Sequence, residues 1–182
     1  MHDKGRRRRA SVVQAAADLL RQEGPAGLTH RAVAAHAGCS LSATTYYFAS
    51  RGELAAAAGA EVARRWAEQA EEVAAREATG DAARIEAAVE ALLPPADQVR
   101  GHYEHLAGAG HSPEVAAAYA RGRPRVDAAM SRIVGPLGLP AALAVAIIDG
   151  AAVSALSEGR DPVVLARDLL AKALAQAECS TR

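Results

Sequence analysis

Aromatic side chains are scarce in this sequence: one Trp, one Phe and four Tyr in 182 residues. A pocket in such a chain is walled mainly by small aliphatic groups, which favours a modestly sized or partly apolar ligand. Lysine is nearly missing, with two against 19 Arg, a bias that speaks of a high-GC genome rather than of function. The two cysteines, Cys39 and Cys179, stand far apart in no metal or redox spacing, so reduced thiols are expected. No uninterrupted apolar run reaches the roughly 18–20 residues that cross a bilayer, because Leu139–Leu156 is broken by Pro140, Asp149, Gly150 and Ser154. The basic N-terminus leads into no apolar segment, so neither a signal peptide nor membrane contact is expected, and the chain is expected in the cytoplasm. Enzyme signatures are missing too: no G-x-S-x-G, no P-loop, no G-x-G-x-x-G after a strand and no H-E-x-x-H. His30, His36 and Cys39 match no zinc spacing, so neither a metal nor a cofactor is expected.

What is present is helix-forming material. Ala, Glu, Lys, Leu and Arg account for 98 residues, 48 of them Ala, and strand formers are correspondingly few. A hydrophobic content of 51% excludes disorder of the whole chain. The net charge is zero but unevenly placed, since residues 1–54 carry 8 Lys/Arg against 4 Asp/Glu while the remainder is acidic. A basic first third suits an anion such as nucleic acid; an incidental distribution of surface charge is the alternative.

Periodicity and capping residues predict an all-α chain of about nine helices. Ala10–Gln22 places Val12, Val13, Ala16, Leu19 and Leu20 on one stripe, stopped by Gly24-Pro25. Thr29 caps a short helix that Gly38 ends, and Ser40 caps a third through Tyr46. Ser50 opens a long helix from Arg51 to about Thr79. Further helices are expected over 81–93, 96–107, 113–134 with a bend near Pro124, 140–157 and 162–177. This divides the chain into a three-helix domain over 6–50 and a larger one over 51–178. Arg6–Arg9 precede the first helix as an arm, either over DNA phosphates and a minor groove or solvated.

Residues 29–48 read as helix, glycine turn, helix, with Ala34, Ala35 and Ala37 small enough for close crossing. A generic helical hairpin shares that pattern. The particular residues Gly27-Leu28-Thr29, Arg31, Val33-Ala34, Ala37-Gly38, Ser40, Phe48 and Ser50-Arg51-Gly52-Glu53-Leu54 resemble the DNA-binding domain of the tetracycline-repressor (TetR) family of bacterial transcription regulators. The resemblance covers roughly residues 6–54; beyond it only helix number and length are similar. Two positions depart from the family pattern: Ser42 stands where Gly is common, and Thr45 where a phosphate-contacting Tyr is usual.

The resemblance implies a helix-turn-helix reading head, a homodimer on a palindromic operator of double-stranded DNA, and release by a small-molecule effector. It places Leu41, Ser42, Ala43 and Tyr46 at base edges and lets Arg31 reach a guanine or a phosphate. Thr45, Tyr47 and Arg51 fall at phosphate-contacting positions, and Thr29 and Ser40 belong to the same DNA interface. Effector candidates are Trp66, Gln69, His102, Tyr103, His105, Tyr119 and Met130. Dimer candidates are Leu143, Ile147, Ile148 and Ala151, with Ala152 and Ala155, on one helix and Leu165 and Leu169, with Val164, Leu170 and Leu174, on the next; packing within one chain is the alternative. Two other readings stay open: a helical interaction adaptor without DNA binding, and a small-molecule enzyme using the His102/His105 region for acid–base work.

Overall fold

The computed structural model describes residues 3–180, with side chains from 4 to 176; the thiol of Cys179 lies outside the described residues. Cys39 carries a free thiol. Nine α-helices follow in order among the described residues: α1 Asp3–Gly27, α2 His30–His36, α3 Leu41–Tyr47, α4 Arg51–Ala74, α5 Asp81–Leu92, α6 Val99–Ala109, α7 Pro113–Val134, α8 Ala141–Glu158 and α9 Pro162–Ser180. A 3-10 turn over Gly135–Leu137 joins α7 to α8, and no strand occurs among the described residues.

The starts obey local chemistry. Thr29 Oγ1 accepts from the Ala32 amide at 3.1 Å and Ser40 Oγ from that of Ala43 at 3.3 Å. Ser50 Oγ accepts from the Glu53 amide at 3.1 Å, while the Glu53 carboxylate takes the Ala49 amide at 2.8 Å. Each such cap satisfies an amide that a helix start leaves without a partner, worth about 0.5–2 kcal/mol. Asp161 does the same for α9 through the amides of Val163 and Val164.

Several boundaries differ from expectation for reasons that lie outside the local sequence. Helix α1 begins at Asp3, so Arg6–Arg9 are its first turns and not an arm. Arginine is a good helix former, and the Arg9 guanidinium sits 5.0 Å above the Phe48 ring, which holds these turns in place. The break at Gly24 occurs as expected, with φ 70°, but helical backbone resumes as far as Gly27. Helix α4 stops at Ala74, five residues early, where Arg76 turns to pair with Glu90 of α5 at 2.8 Å. Helix α6 starts at Val99 because the Pro94-Pro95 step leads into a turn closed by the Gln98 amide on the Pro95 carbonyl. Helix α7, by contrast, spans Pro113–Val134 with Pro124 inside it, the extent expected.

The chain divides into two compact units, Met1–Arg65 with Gly101–Gly122 and Trp66–Arg100 with Arg123–Arg182. In the first, Val12, Leu20, Leu28, Val33, Leu54, Val62 and Val115 are fully buried. Here α4 and α7 cross with almost no space between them: a Cβ added to Gly122 would lie 2.6 Å from that of Ala63. Arg65 joins α1 to α4 by pairing with Asp18 at 2.6 Å and Glu61 at 2.9 Å. The second unit is built on α8 packed along α9, with α5 against both. Arg125 grips Glu71 with two hydrogen bonds, 2.9 and 2.7 Å, and Arg84 donates to the Ile133 carbonyl at 3.1 Å.

By length and average composition α8 is apolar enough to cross a membrane, since averaging passes over Asp149 and Ser154. In the fold it buries Ala144, Val145, Ile148, Ala151, Ala152 and Ala155 against its neighbours and leaves Leu143 and Val153 exposed.

Candidate DNA-reading interface and effector region

The turn between α2 and α3 is a Schellman closure: the Gly38 amide donates to Ala35 O at 3.3 Å and the Cys39 amide to Ala34 O at 3.0 Å, with Gly38 left-handed at φ 61°. A side chain at Gly38 would be strained in that conformation. Thr44, fully buried, then fixes α3 against α2. Its hydroxyl donates to Leu41 O at 2.8 Å, and Nδ1 of His30 on α2 lies 3.3 Å from Thr44 Oγ1. Phe48 closes the far end of α3 inside the core.

With Thr44 and Phe48 facing inward, the opposite face of α3 presents Leu41, Ser42, Thr45 and Tyr46, spaced i, i+1, i+4 and i+5. Tyr46 is 82% exposed and Leu41 48%. A large aromatic beside a leucine on the surface of a seven-residue helix is uneconomic for the isolated chain and makes sense as a contact face. Tyr47 is half-buried and meets Tyr46 edge-on at 5.1 Å; Ala43 is half-buried on the same flank. The Ser42 hydroxyl lies 3.0 Å from that of Ser40, and the Thr45 hydroxyl bonds back to the carbonyls of Leu41 and Ser42. Arg31 is exposed on α2, and the Thr29 and Ser40 oxygens serve as caps.

Arg51 is exposed, but its guanidinium is engaged by backbone carbonyls. Its Nε donates to Leu28 O at 2.9 Å and its Nη2 to Pro25 O and Ala26 O at 2.7 and 3.0 Å. These are the carbonyls at the end of α1, so Arg51 ties the start of α4 to the end of α1.

Four effector candidates gather in the first unit, on α6 and α7. His105 is 3% exposed, and its Nδ1 lies 2.8 Å from Leu20 O. A carbonyl only accepts, so Nδ1 carries the proton and Nε2 accepts from the Tyr119 hydroxyl at 2.5 Å. Burial, with the charge of Arg21 adding to it, holds the imidazole below its usual value against the opposing pull of the Leu20 carbonyl. Burial pushes His102 down to about 4, helped by His105 and Arg21, and pushes the Tyr119 phenol up. His102 meets Tyr103 edge-on at 5.1 Å. Both nitrogens of His105 are committed to structure, an arrangement unsuited to shuttling a substrate proton. Beside this group an open cleft of roughly 730 Å³ is lined by Arg21, Gln22, Glu23, Pro25, Glu104 and His111. The other three candidates belong to the second unit: Met130 is fully buried, Trp66 is half-buried, and Gln69 donates to Glu90 O at 2.9 Å. That unit has its own open groove of roughly 1050 Å³ with apolar walls of Val89, Leu93, Pro94 and Val163, not foreseen because its lining comes from three separated segments.

On α8 and α9 the exposed large apolar side chains are Leu143, Val153, Val164 and Leu169, with Ile147 and Leu165 half-buried. Ile148 and Ala151, expected at a dimer surface, are instead buried within the chain, as are Ala152, Ala155, Leu170 and Leu174. Helix α8 is apolar all round, so its period alone does not say which side faces inward.

Residues 12–58 match the family described as "Bacterial regulatory proteins, tetR family". A solved structure of the multidrug binding protein EbrR complexed with proflavin is 30% identical, covering 91% of this chain and 98% of its own, with a TM-score of 0.65. A TetR-family member from Streptomyces coelicolor A3 is also 30% identical over 91% of this chain and 96% of its own, with a TM-score of 0.59. A transcriptional regulator from Rhodococcus sp. Rha1 is 25% identical, covers 92% and 96%, and has a TM-score of 0.71. No curated protein matches the chain.

Proposed function

Because the chain belongs to the TetR family of bacterial regulatory proteins, and is therefore a DNA-binding transcriptional regulator and not an enzyme, we propose that it works as a homodimeric repressor released by a small molecule. The observation that carries this reading is the outward face of α3, where Leu41, Ser42, Thr45 and Tyr46 stand in solvent on a helix locked from behind by Thr44. Ser42 and Tyr46 read base edges, Leu41 meets thymine methyl groups, and Arg31 takes a guanine or a phosphate. Arg51 supports the head from behind by holding α1 to α4. Each chain carries one head, so two heads on a palindrome require a pair of chains. The outer side of α8 and α9, with Leu143, Val153, Val164 and Leu169, supplies an apolar surface for that pairing.

For the effector, structures of the multidrug binding protein EbrR are complexed with imidazole and with the cationic aromatic dyes proflavin, ethidium and malachite green. We assign this chain the same ligand class, with the Tyr103 and Tyr119 rings and the uncharged His102 as its contacts; neutral aromatic faces attract such cations. Release then follows from differential affinity: every 1.4 kcal/mol by which the effector prefers the form unable to span the operator weakens DNA binding about tenfold.

The test is fluorescence anisotropy on duplex DNA from beside the protein's own gene, repeated as salt is raised. Selective, salt-dependent binding that weakens by about 1–3 kcal/mol in Arg31→Ala and Tyr46→Ala, with unchanged melting temperatures, is the expected result. Equal affinity for every duplex, with both variants indistinguishable from the parent, favours the adaptor reading.

A further inference from the structure

We propose that the first turns of α1 form a rigid cationic rail that grips the DNA backbone beside the reading helix, a reading that rests on the operator binding proposed above. The buried stripe of α1 runs through Val12, Ala16 and Leu20. Four and three residues before Val12 stand Arg8 and Arg9, which by helical spacing project from that same side. Val12 is fully buried whereas Arg8 and Arg9 are exposed, so the stripe runs off the edge of the core and changes from apolar to cationic. Lys4 continues it one turn further, also exposed, and Arg6 and Arg7 are exposed on the flanks.

Position decides what this charge meets. The Arg9 guanidinium stacks 5.0 Å above Phe48, the residue that caps α3 immediately after Tyr46 and Tyr47. The rail therefore stands at the C-terminal end of the reading helix, in the same compact unit. Once α3 lies in a major groove, the polyanion nearest to Lys4 and Arg8 is the phosphate backbone flanking the bases being read. Phosphates are alike in every sequence, so the rail adds affinity and salt dependence and no selectivity. Because these residues are already helical, little of the ordering cost of a loose arm remains to be met on binding.

The experiment compares the full chain with Arg8→Gln and with Lys4→Gln/Arg8→Gln on the operator and on a scrambled duplex over a range of salt. Each cation–phosphate pair removed should reduce the slope of log K against log salt by about 0.9 and weaken both duplexes by the same factor, leaving the melting temperature unchanged. Slopes equal to those of the parent overturn the rail while leaving the regulator reading intact. A loss confined to the operator also overturns it, because that is base reading. A parent chain that binds no duplex overturns both readings together.

Discussion

Removing a single oxygen from Tyr119 isolates the tie that runs from α7 through His105 to the Leu20 carbonyl of α1. In Tyr119→Phe the ring and its apolar contacts remain, while His105 Nε2 loses the donor that stands 2.5 Å away. His105 cannot turn to another arrangement without giving up the 2.8 Å bond from Nδ1 to Leu20, and at 3% exposure water has little access to it. The cost of a buried acceptor deprived of its donor is about 1–3 kcal/mol. For a chain of this length that is a fall of about 2–4 °C in melting temperature per kcal/mol, or roughly 2–12 °C in all. Thermal unfolding at neutral pH, followed by circular dichroism, reads it directly. A partner substitution sharpens the test: Tyr119→Phe/His105→Leu removes the acceptor with the donor, so its cost should be well below the sum of the two single changes. Tyr119→Phe within about 0.5 kcal/mol of the parent, together with additive single changes, would refute the assignment of Nδ1 as donor and Nε2 as acceptor.

Acid should weaken the fold through its two buried imidazoles. His102, near 4, and His105, also lowered, stay neutral in the folded chain, whereas their unfolded counterparts protonate near 6.5. Stability is therefore fully present above pH 6.5 and is lost as pH falls toward 4, with His102 alone accounting for about 3 kcal/mol across that window. Urea unfolding at pH 7.5, 5.5 and 4.5 should show a monotonic decline, and a flat profile contradicts the burial argument. Arg51→Ala should lower stability by about 1–2 kcal/mol, because the carbonyls of Pro25, Ala26 and Leu28 lose their shared donor. If that variant melts like the parent yet loses affinity for every duplex, the side chain serves DNA phosphates instead.

Much of the architecture follows from rules that operate within one helical turn. Thr29, Ser40 and Ser50 each accept an amide three residues on, and Gly38 adopts the left-handed turn that a Schellman closure requires. Such interactions need only neighbouring residues, so capping and periodicity suffice to place about nine helices, while the family resemblance is what separates a helix-turn-helix from a generic helical hairpin. The ambiguous cases were those in which two outcomes satisfied the local rule equally well. Helix α8 is apolar on every side, and only its packing on α9 and α5 placed Ile148 and Ala151 inside while leaving Leu143 and Val153 out. Arg51 at the start of a helix is compatible with DNA phosphate or with another helix's carbonyls, and the end of α1, some 25 residues away, took it.

The sequence by itself determined the helical class and the order and approximate extent of the helices, because propensity, caps and the 3.6-residue period act between residues a few positions apart; the outward face of α3 is expected only from the family resemblance. Tertiary structure alone decided that Arg6–Arg9 are helical beside Phe48, that α4 ends where Arg76 meets Glu90, and that His105 is a neutral link between Tyr119 and Leu20. Those outcomes depend on partners 14 to 85 positions distant, which meet only once the chain has folded, and whose bonds then outweigh the weak local preferences of the segments they join.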